Sequence, residues 1–309
     1  MFQTALFNVF LSLLYMLPGY LFCKLRRASA DHLSTMSTIL IYFCSPCMII
    51  DSFLGLTKSN ENLVNMGLFF AFSLLMQLLF FVLLFLILRK KHENPVYRML
   101  NAGSILGNVG FFGLPLIRSI FPDHPEVACY SSIYVVSMNL LVFTIGVYCI
   151  TGEKKYVSLK NAFINPTFIA FLIAMPLYLF NAGEWIPEFL QNGLGILGKM
   201  TTPLCMIILG IRLASVGFSK IWGNPFPYLT AGMKLLVFPL FCFGLSLLFP
   251  LEPVFRYSVL ILAGTPCASV LLGMAEIHGK NTDLAANCIL LSTLLSIFTL
   301  PLLALLIRM

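Results

Sequence analysis

The chain has 309 residues, of which 59% are hydrophobic and only 10% charged, with a formal net charge of +7. A mean hydropathy of +0.94 lies far outside the range of a water-soluble domain and excludes one. The basic residues cluster in alternate loops, so the positive charge is a topological signal and is not a nucleic-acid footprint.

A helix crosses the hydrocarbon layer with about 20 apolar residues, and the runs between charged or Pro/Gly/Asn-rich breaks predict ten such spans. They are 5–23, 32–55, 65–88, 98–121, 127–150, 162–180, 190–211, 225–249, 256–278 and 283–307. The first has no basic residue before it and is followed by Lys24, Arg26 and Arg27, which predicts a retained span and no cleaved leader. The fourth and ninth are the least regular, because glycine, proline and small polar residues interrupt them. One set of alternate loops carries Lys24, Arg26, Arg27, Arg89, Lys90, Lys91, Arg98, Lys154, Lys155, Lys160, Arg212, Lys220 and Lys280, against Lys58, Arg118, Arg256 and Arg308 in the other. The richer set is expected in the cytoplasm, with both termini on the outer side of the plasma membrane.

The chain also contains itself twice. Leu17–Phe22 returns as Met175–Phe180 at an offset of 158, Pro46 of Ser45–Ile50 returns as Pro203 at 157, and Phe143-Thr144 returns as Phe298-Thr299 at 155. Three ordered matches at nearly one offset predict a duplication, with a first repeat over 1–150, a short cytoplasmic linker over 151–161 and a second repeat over 162–309. Each repeat holds five spans. Five is odd, so the second must enter the membrane from the opposite face, which predicts an all-α polytopic protein of two inverted five-helix repeats working by alternating access.

The fourth span carries the densest signal. Gly103, Gly107, Asn108, Gly110, Gly113 and Pro115 within one span make a continuous helix expensive, about 1 kcal/mol for each interior glycine and about 3 for proline. A break near Gly107 and Pro115 is expected, and its freed backbone groups must be buried in protein or face a wet cavity. Arg98 maps onto Arg256 at offset 158, and that offset sends Gly107-Asn108 to Thr265-Pro266 within Ala263-Gly264-Thr265-Pro266-Cys267-Ala268-Ser269. The fourth and ninth spans should therefore break and cross at the repeat axis. Second half-helices starting near Val109–Gly110 and Cys267–Ala268 would aim N–H groups, each end worth about half a positive charge, at an anion, most simply a carboxylate. Glycine-mediated helix packing also explains the glycines, but not Asn108, whose amide is costly in lipid.

Lys199 and Lys234 lie deep within spans seven and eight, where they either snorkel or attract an anion. Asp51 and Glu276 fall near predicted helix ends and are expected to be solvated. Ser131, Ser132, Asn139, Thr144, Asn287, Ser292, Thr293 and Ser296 would surround the crossing, Asn139 and Asn287 being the better candidates for substrate or sodium. The nine cysteines sit almost entirely in spans, and Cys44-x-x-Cys47 reads as packing. His32, His92, His124 and His278 have no metal-ligand spacing, so no metal or cofactor is expected, and no paired acids, H-E-x-x-H or G-x-S-x-G mark an intramembrane enzyme.

Gly107-Asn108-Val109-Gly110-Phe111-Phe112-Gly113-Leu114-Pro115-Leu116 resembles the N-x-G-F-x-G-x-P-L signature of auxin efflux carrier family transporters. Asp283 with Leu291–Pro301, and Thr202-Pro203 with Gly210, are similar to the last and seventh spans of bacterial members. The resemblance covers the whole chain. It implies a fold shared with bile acid sodium symporters, in which spans 1, 2, 6 and 7 form a scaffold and spans 3–5 and 8–10 a transport domain moving like an elevator. It also implies that Asn108 holds a substrate carboxylate, in a site drawn here as Asn108, Gly107, Val109, Gly110, Thr265, Pro266, Cys267, Asn139, Asn287, Lys199 and Lys234. Where the plant carriers have proline before the asparagine, this chain has Gly107, and it lacks their long central loop. Bacterial members are associated with malate, malonate and other small carboxylates, and related carriers often pair through their scaffold helices, which leaves a homodimer through those helices open. The leading expectation is a secondary carrier of a small carboxylate, and the alternative is a sodium-coupled symporter of bile acids or other anions, with H+ or Na+ open as the coupling ion.

Overall fold

The computed structural model describes residues 1–216, 223 and 225–308, which form helices and connecting turns with no β-strand among them. In chain order the helices are α1 (Phe2–Lys24), α2 (Ala30–Leu54), α3 (Asn60–Lys91), α4 (Pro95–Ile105), α5 (Val109–Ile120), α6 (Glu126–Thr151), α7 (Lys154–Leu179), α8 (Glu188–Ser215), α9 (Pro225–Ser246), α10 (Pro253–Ala263), α11 (Ser269–Ile277) and α12 (Thr282–Ala304). Eight of them are long and apolar enough to cross a membrane. The remaining four are two pairs, α4/α5 and α10/α11, which occupy the fourth and ninth predicted spans. Those spans are therefore interrupted as expected. Lys220 lies outside the described residues.

Asparagine-proline pairs start α4 and the long segment Pro166–Leu179 of α7. Asn94 accepts the Val96 N–H at 3.0 Å ahead of Pro95, and Asn165 accepts the Phe168 N–H at 3.0 Å ahead of Pro166. Each asparagine satisfies a donor that the first turn leaves unpaired, and each proline occupies a position where no N–H is needed. Gly152 closes α6 with a left-handed φ of +76°. Arg98, one of two buried cations among the described residues, packs against that turn and donates to the carbonyls of Cys149 at 3.2 Å and His92 at 3.1 Å. Its repeat mate Arg256 likewise donates to a carbonyl of the preceding loop, Phe249, at 3.0 Å.

Of the eight membrane-length helices, α6 and α12 are the most enclosed and α1 is the most exposed. Phe69 of α3 stacks on Tyr130 of α6 at 4.5 Å while Phe255 of α10 meets Phe69 at 4.8 Å, joining residues from both halves in one core. Large apolar side chains such as Phe7, Ile87, Phe180 and Leu248 stay on the outside, as a lipid-facing surface requires. The tightest helix pair is α1 with α8. There Gly19 lies against the Ile207 carbonyl and Gly210 against the Met16 carbonyl, with no room for a Cβ at either place.

Asp51 is half-buried and Glu276 exposed, and both are in ion pairs. Arg118 of α5 meets Asp51 of α2 at 3.3 Å, and Glu276 of α11 pairs with Arg212 of α8. Arg118 and Glu276 are repeat mates at offset 158 with opposite charges. Each pair ties the far end of a second half-helix to span two or span seven.

Glu252, ahead of α10, has a carboxyl pKa raised by burial, by a hydrogen bond shared with Glu61 and by the charges of Glu61 and Glu126. A carboxyl raised in the folded state costs nothing below its unfolded pKa, and its cost grows as pH rises from there through the raised value. Glu252→Gln is expected to raise the melting temperature at pH 7 by on the order of 1–2 °C and to leave it unchanged near pH 4, as a pair of thermal melts would show.

Candidate functional site

The two interruptions touch. Gly107 and Cys267 form an antiparallel bridge, the Asn108 N–H donates to the Pro266 carbonyl at 2.7 Å, and the Ala268 N–H donates to the Leu106 carbonyl at 2.9 Å. Backbone groups released by one break are thus satisfied by the other, which lets irregular backbone persist at membrane depth. The most enclosed helices brace the crossing: Ser131 of α6 donates to the Val109 carbonyl at 3.1 Å, and Ser292 of α12 accepts the Cys267 N–H at 3.0 Å. Thr202 of α8 donates to the Phe111 carbonyl at 2.5 Å. Gly110 and Phe111 on α5, and Ser269 and Val270 on α11, sit in first turns where N–H groups have no helical acceptor.

Lys234 is fully buried at the crossing. It lies in a π-helical turn of α9, Met233–Val237, an irregularity that is frequent at functional sites. Its ammonium donates to the Ala263 carbonyl at 2.5 Å and lies 4.9 Å from the centre of the Phe238 ring. Ala263 is the last residue of α10, so the lysine caps a carbonyl that the break has freed. Gly107 makes the space: a Cβ there would stand 2.8 Å from the Lys234 Nζ and 2.6 Å from the Thr265 Oγ1. No aspartate or glutamate is buried among the described residues, so the charge at this place is uncompensated.

The Asn108 side chain is nearly buried and points its amide NH₂ at the Ser269 hydroxyl, 3.5 Å away, and the Cys205 sulfur at 3.8 Å. Both contacts are long for their type. Asn108 thus stands between the start of α11 and the face of α8. Beyond it a cavity of about 320 Å³ opens between α1, α2, α5 and α8, lined by Asp51, Pro115, Arg118, Lys199 and Thr202 among others. Thr202 lines this cavity and also bonds Phe111, three residues from Asn108.

The expected site residues separate into two groups. Gly107, Asn108, Val109, Gly110, Thr265, Pro266, Cys267 and Lys234 come together at the crossing. Gly110 does so as a packing residue, with Val135 and Met48 closer than ordinary contact to where its Cβ would be, at 3.1 and 3.2 Å. Lys199 is exposed and belongs to the cavity. Asn139 reaches Asn165, at 3.5 Å, and so faces the start of Pro166–Leu179. Asn287 is buried on α12 with its Oδ1 unpartnered. Pro115 is not at the break: the interruption closes at Asn108, and Pro115 lies within α5, where the Phe111 carbonyl that its missing N–H leaves without a helical donor accepts the Thr202 hydroxyl. The second half of the ninth span starts at Ser269, one residue beyond the expected Cys267–Ala268. Thr144, Thr293 and Ser296 bond carbonyls of their own helices, while the Ser132 hydroxyl is buried without a partner. Sequence reasoning left out Cys205 and Arg118, the first because a cysteine in an apolar run carries no polar signal, the second because its loop-like position hid a pairing made only in three dimensions.

Crossed, interrupted helices with polar side chains gathered at membrane depth define a polytopic carrier. A profile described as "Membrane transport protein" matches residues 4–161 and again 151–304, once for each half of the chain. The chain belongs to this family, that of the auxin efflux carriers to which its crossing motif pointed. It is similar to an uncharacterized transporter of Methanocaldococcus jannaschii, 25% identical over 302 residues that cover 95% of this chain and 96% of the relative. An uncharacterized transporter of Methanothermobacter thermautotrophicus is 28% identical over 206 residues, 66% of each chain. The protein is a membrane transporter and not an enzyme.

Proposed function

We propose that the chain is a secondary carrier of a small organic anion, a mono- or dicarboxylate such as malate or malonate, across the plasma membrane. Ten spans in two inverted repeats, with α4/α5 and α10/α11 as the broken fourth and ninth, would carry it by alternating access. Spans 1, 2, 6 and 7 would stand as the scaffold, and spans 3–5 and 8–10 would move against them as an elevator. The ion pairs Asp51–Arg118 and Arg212–Glu276 join those two groups of helices. Both termini would lie outside the cytoplasm.

One observation carries the choice of an anion: the crossing gathers a buried lysine, the Asn108 amide and two half-helix starts, and among the described residues no buried carboxylate opposes them. Each half-helix start adds about half a positive charge, so a carboxylate is the ligand that this place stabilises most. The Asn108 amide would donate to it from the face that now makes only long contacts. In the adjoining cavity Asp51 offsets Arg118, and Lys199 would raise the local anion concentration on the way in.

Counterflow in proteoliposomes tests this reading. Vesicles loaded with unlabelled malonate or malate are expected to accumulate the labelled anion, and Asn108→Ala is expected to slow the accumulation by about tenfold or more, the weight of a hydrogen bond to a charged group. Counterflow with neither anion, or equal counterflow in Asn108→Ala, would refute it.

A further inference from the structure

We infer that Lys234 is the carrier's built-in coupling cation, standing where a carrier of this architecture would bind a metal ion, so that the anion moves with a proton and without sodium. The inference rests on the carboxylate reading above. In carriers with broken helices, unwound carbonyls and the C-terminal ends of half-helices are what hold a coupling cation. Here the C-terminal end of α10 is already occupied, because the Lys234 ammonium donates to the Ala263 carbonyl at 2.5 Å. The Phe238 ring face, 4.9 Å away, flanks the same ammonium. A sodium ion at that carbonyl would have to displace a fully buried lysine.

The surroundings make this charge dependent on what the crossing holds. Lysine, unlike arginine, can give up its proton in apolar surroundings, and a buried charge without a partner is costly to keep. The titratable groups around Lys234 are neutral thiols, Cys242 on its own span and Cys267 in the facing break, with Cys288 of α12 and the Tyr134 hydroxyl of α6 next behind them. Among the described residues no carboxylate pairs with it. The nearest place for a compensating negative charge is the crossing, since Gly107, whose missing side chain leaves room beside Nζ, directly precedes Asn108. An anion bound at Asn108 would supply that charge. Loading the anion and holding the proton then favour each other, and releasing one releases the other.

The test uses purified wild type, Lys234→Arg and Lys234→Gln in proteoliposomes containing a pH-sensitive dye, with labelled malonate and malate as probes. Wild type is expected to move protons with the anion at the same rate in sodium and in choline medium. Lys234→Arg keeps the charge but cannot give up its proton, so whatever counterflow this variant retains is expected to run with proton movement per anion at least about tenfold below wild type. Lys234→Gln, which lacks the charge, is expected to bind the anion more weakly and likewise to move no protons. Sodium-stimulated uptake in the wild type, anion uptake without proton movement in the wild type, or proton coupling that survives in Lys234→Arg would each overturn the inference while leaving the carboxylate reading standing. Absence of wild-type counterflow with both anions would overturn that reading and the inference with it.

Discussion

Gly107→Val is expected to abolish transport while the protein still folds and inserts. A Cβ at this position would stand 2.6 Å from the Thr265 Oγ1 and 2.8 Å from the Lys234 Nζ, both well inside normal contact. The lysine end can swing, but leaving Ala263 strips a carbonyl partner from a charge that has no buried acid beside it among the described residues. Thr265 is less free, because its hydroxyl is bonded to the Leu262 carbonyl at 2.8 Å and its residue belongs to the facing break. Overpacking of this kind costs about 1–3 kcal/mol, and here the displaced atoms are those that shape the site. Gly107→Ala should show the same effect in milder form. Malonate counterflow and monodispersity measured on the same preparations check this: active, well-folded Gly107→Val would mean that the crossing does not shape the transport site.

Gly210→Leu is expected to have the larger effect on stability, leaving little monodisperse protein after extraction into detergent. At Gly210 a side chain would enter the Met16 carbonyl and the Tyr20 amide of α1, and at Gly19 it would enter the Ile207 carbonyl of α8. These obstacles are backbone atoms within helices, so no rotamer change relieves them. The two helices would have to separate, losing the close contact that small residues allow in a membrane. A loss of several kcal/mol, upward of about 3, is large against ordinary point mutations. Gly244→Ala is the matched control, since nothing lies within 4 Å of where its Cβ would be. Size-exclusion profiles of the two variants side by side give the comparison, and equal yields would show that the α1–α8 contact is dispensable.

The crossing was legible because two kinds of signal coincided there. Helix breakers are rare enough at membrane depth to stand out, and the repeat offset carried Gly107-Asn108 onto Thr265-Pro266, residues that the structure brings face to face. Arg98 and Arg256 were matched the same way and do equivalent work at the starts of α4 and α10. The same offset also relates Arg118 to Glu276, yet that relation was hidden, because the repeat reversed the charge and each residue found its partner on a different span. Asn139 was misleading for another reason. α6 is enclosed on nearly all sides, so its sequence has no polar stripe to show which way a residue faces, and Asn139 turns toward Asn165. Lys199 and Lys234 looked alike in depth. What separates them is the π-turn of α9 and the carbonyl freed at Ala263, neither of which a linear pattern displays.

Binding of small carboxylates at the crossing is tested most directly by the melting temperature of the detergent-purified protein against malonate, malate, succinate, indole-3-acetate and taurocholate, in wild type and Asn108→Ala. A ligand at about a hundred times its dissociation constant stabilises by about 2.7 kcal/mol, a shift of several degrees. Malonate, malate or succinate is expected to produce that shift in the wild type and to lose most of it in Asn108→Ala. A shift of the same size in both proteins, or none with any of the five anions, would contradict a carboxylate site at the crossed helices.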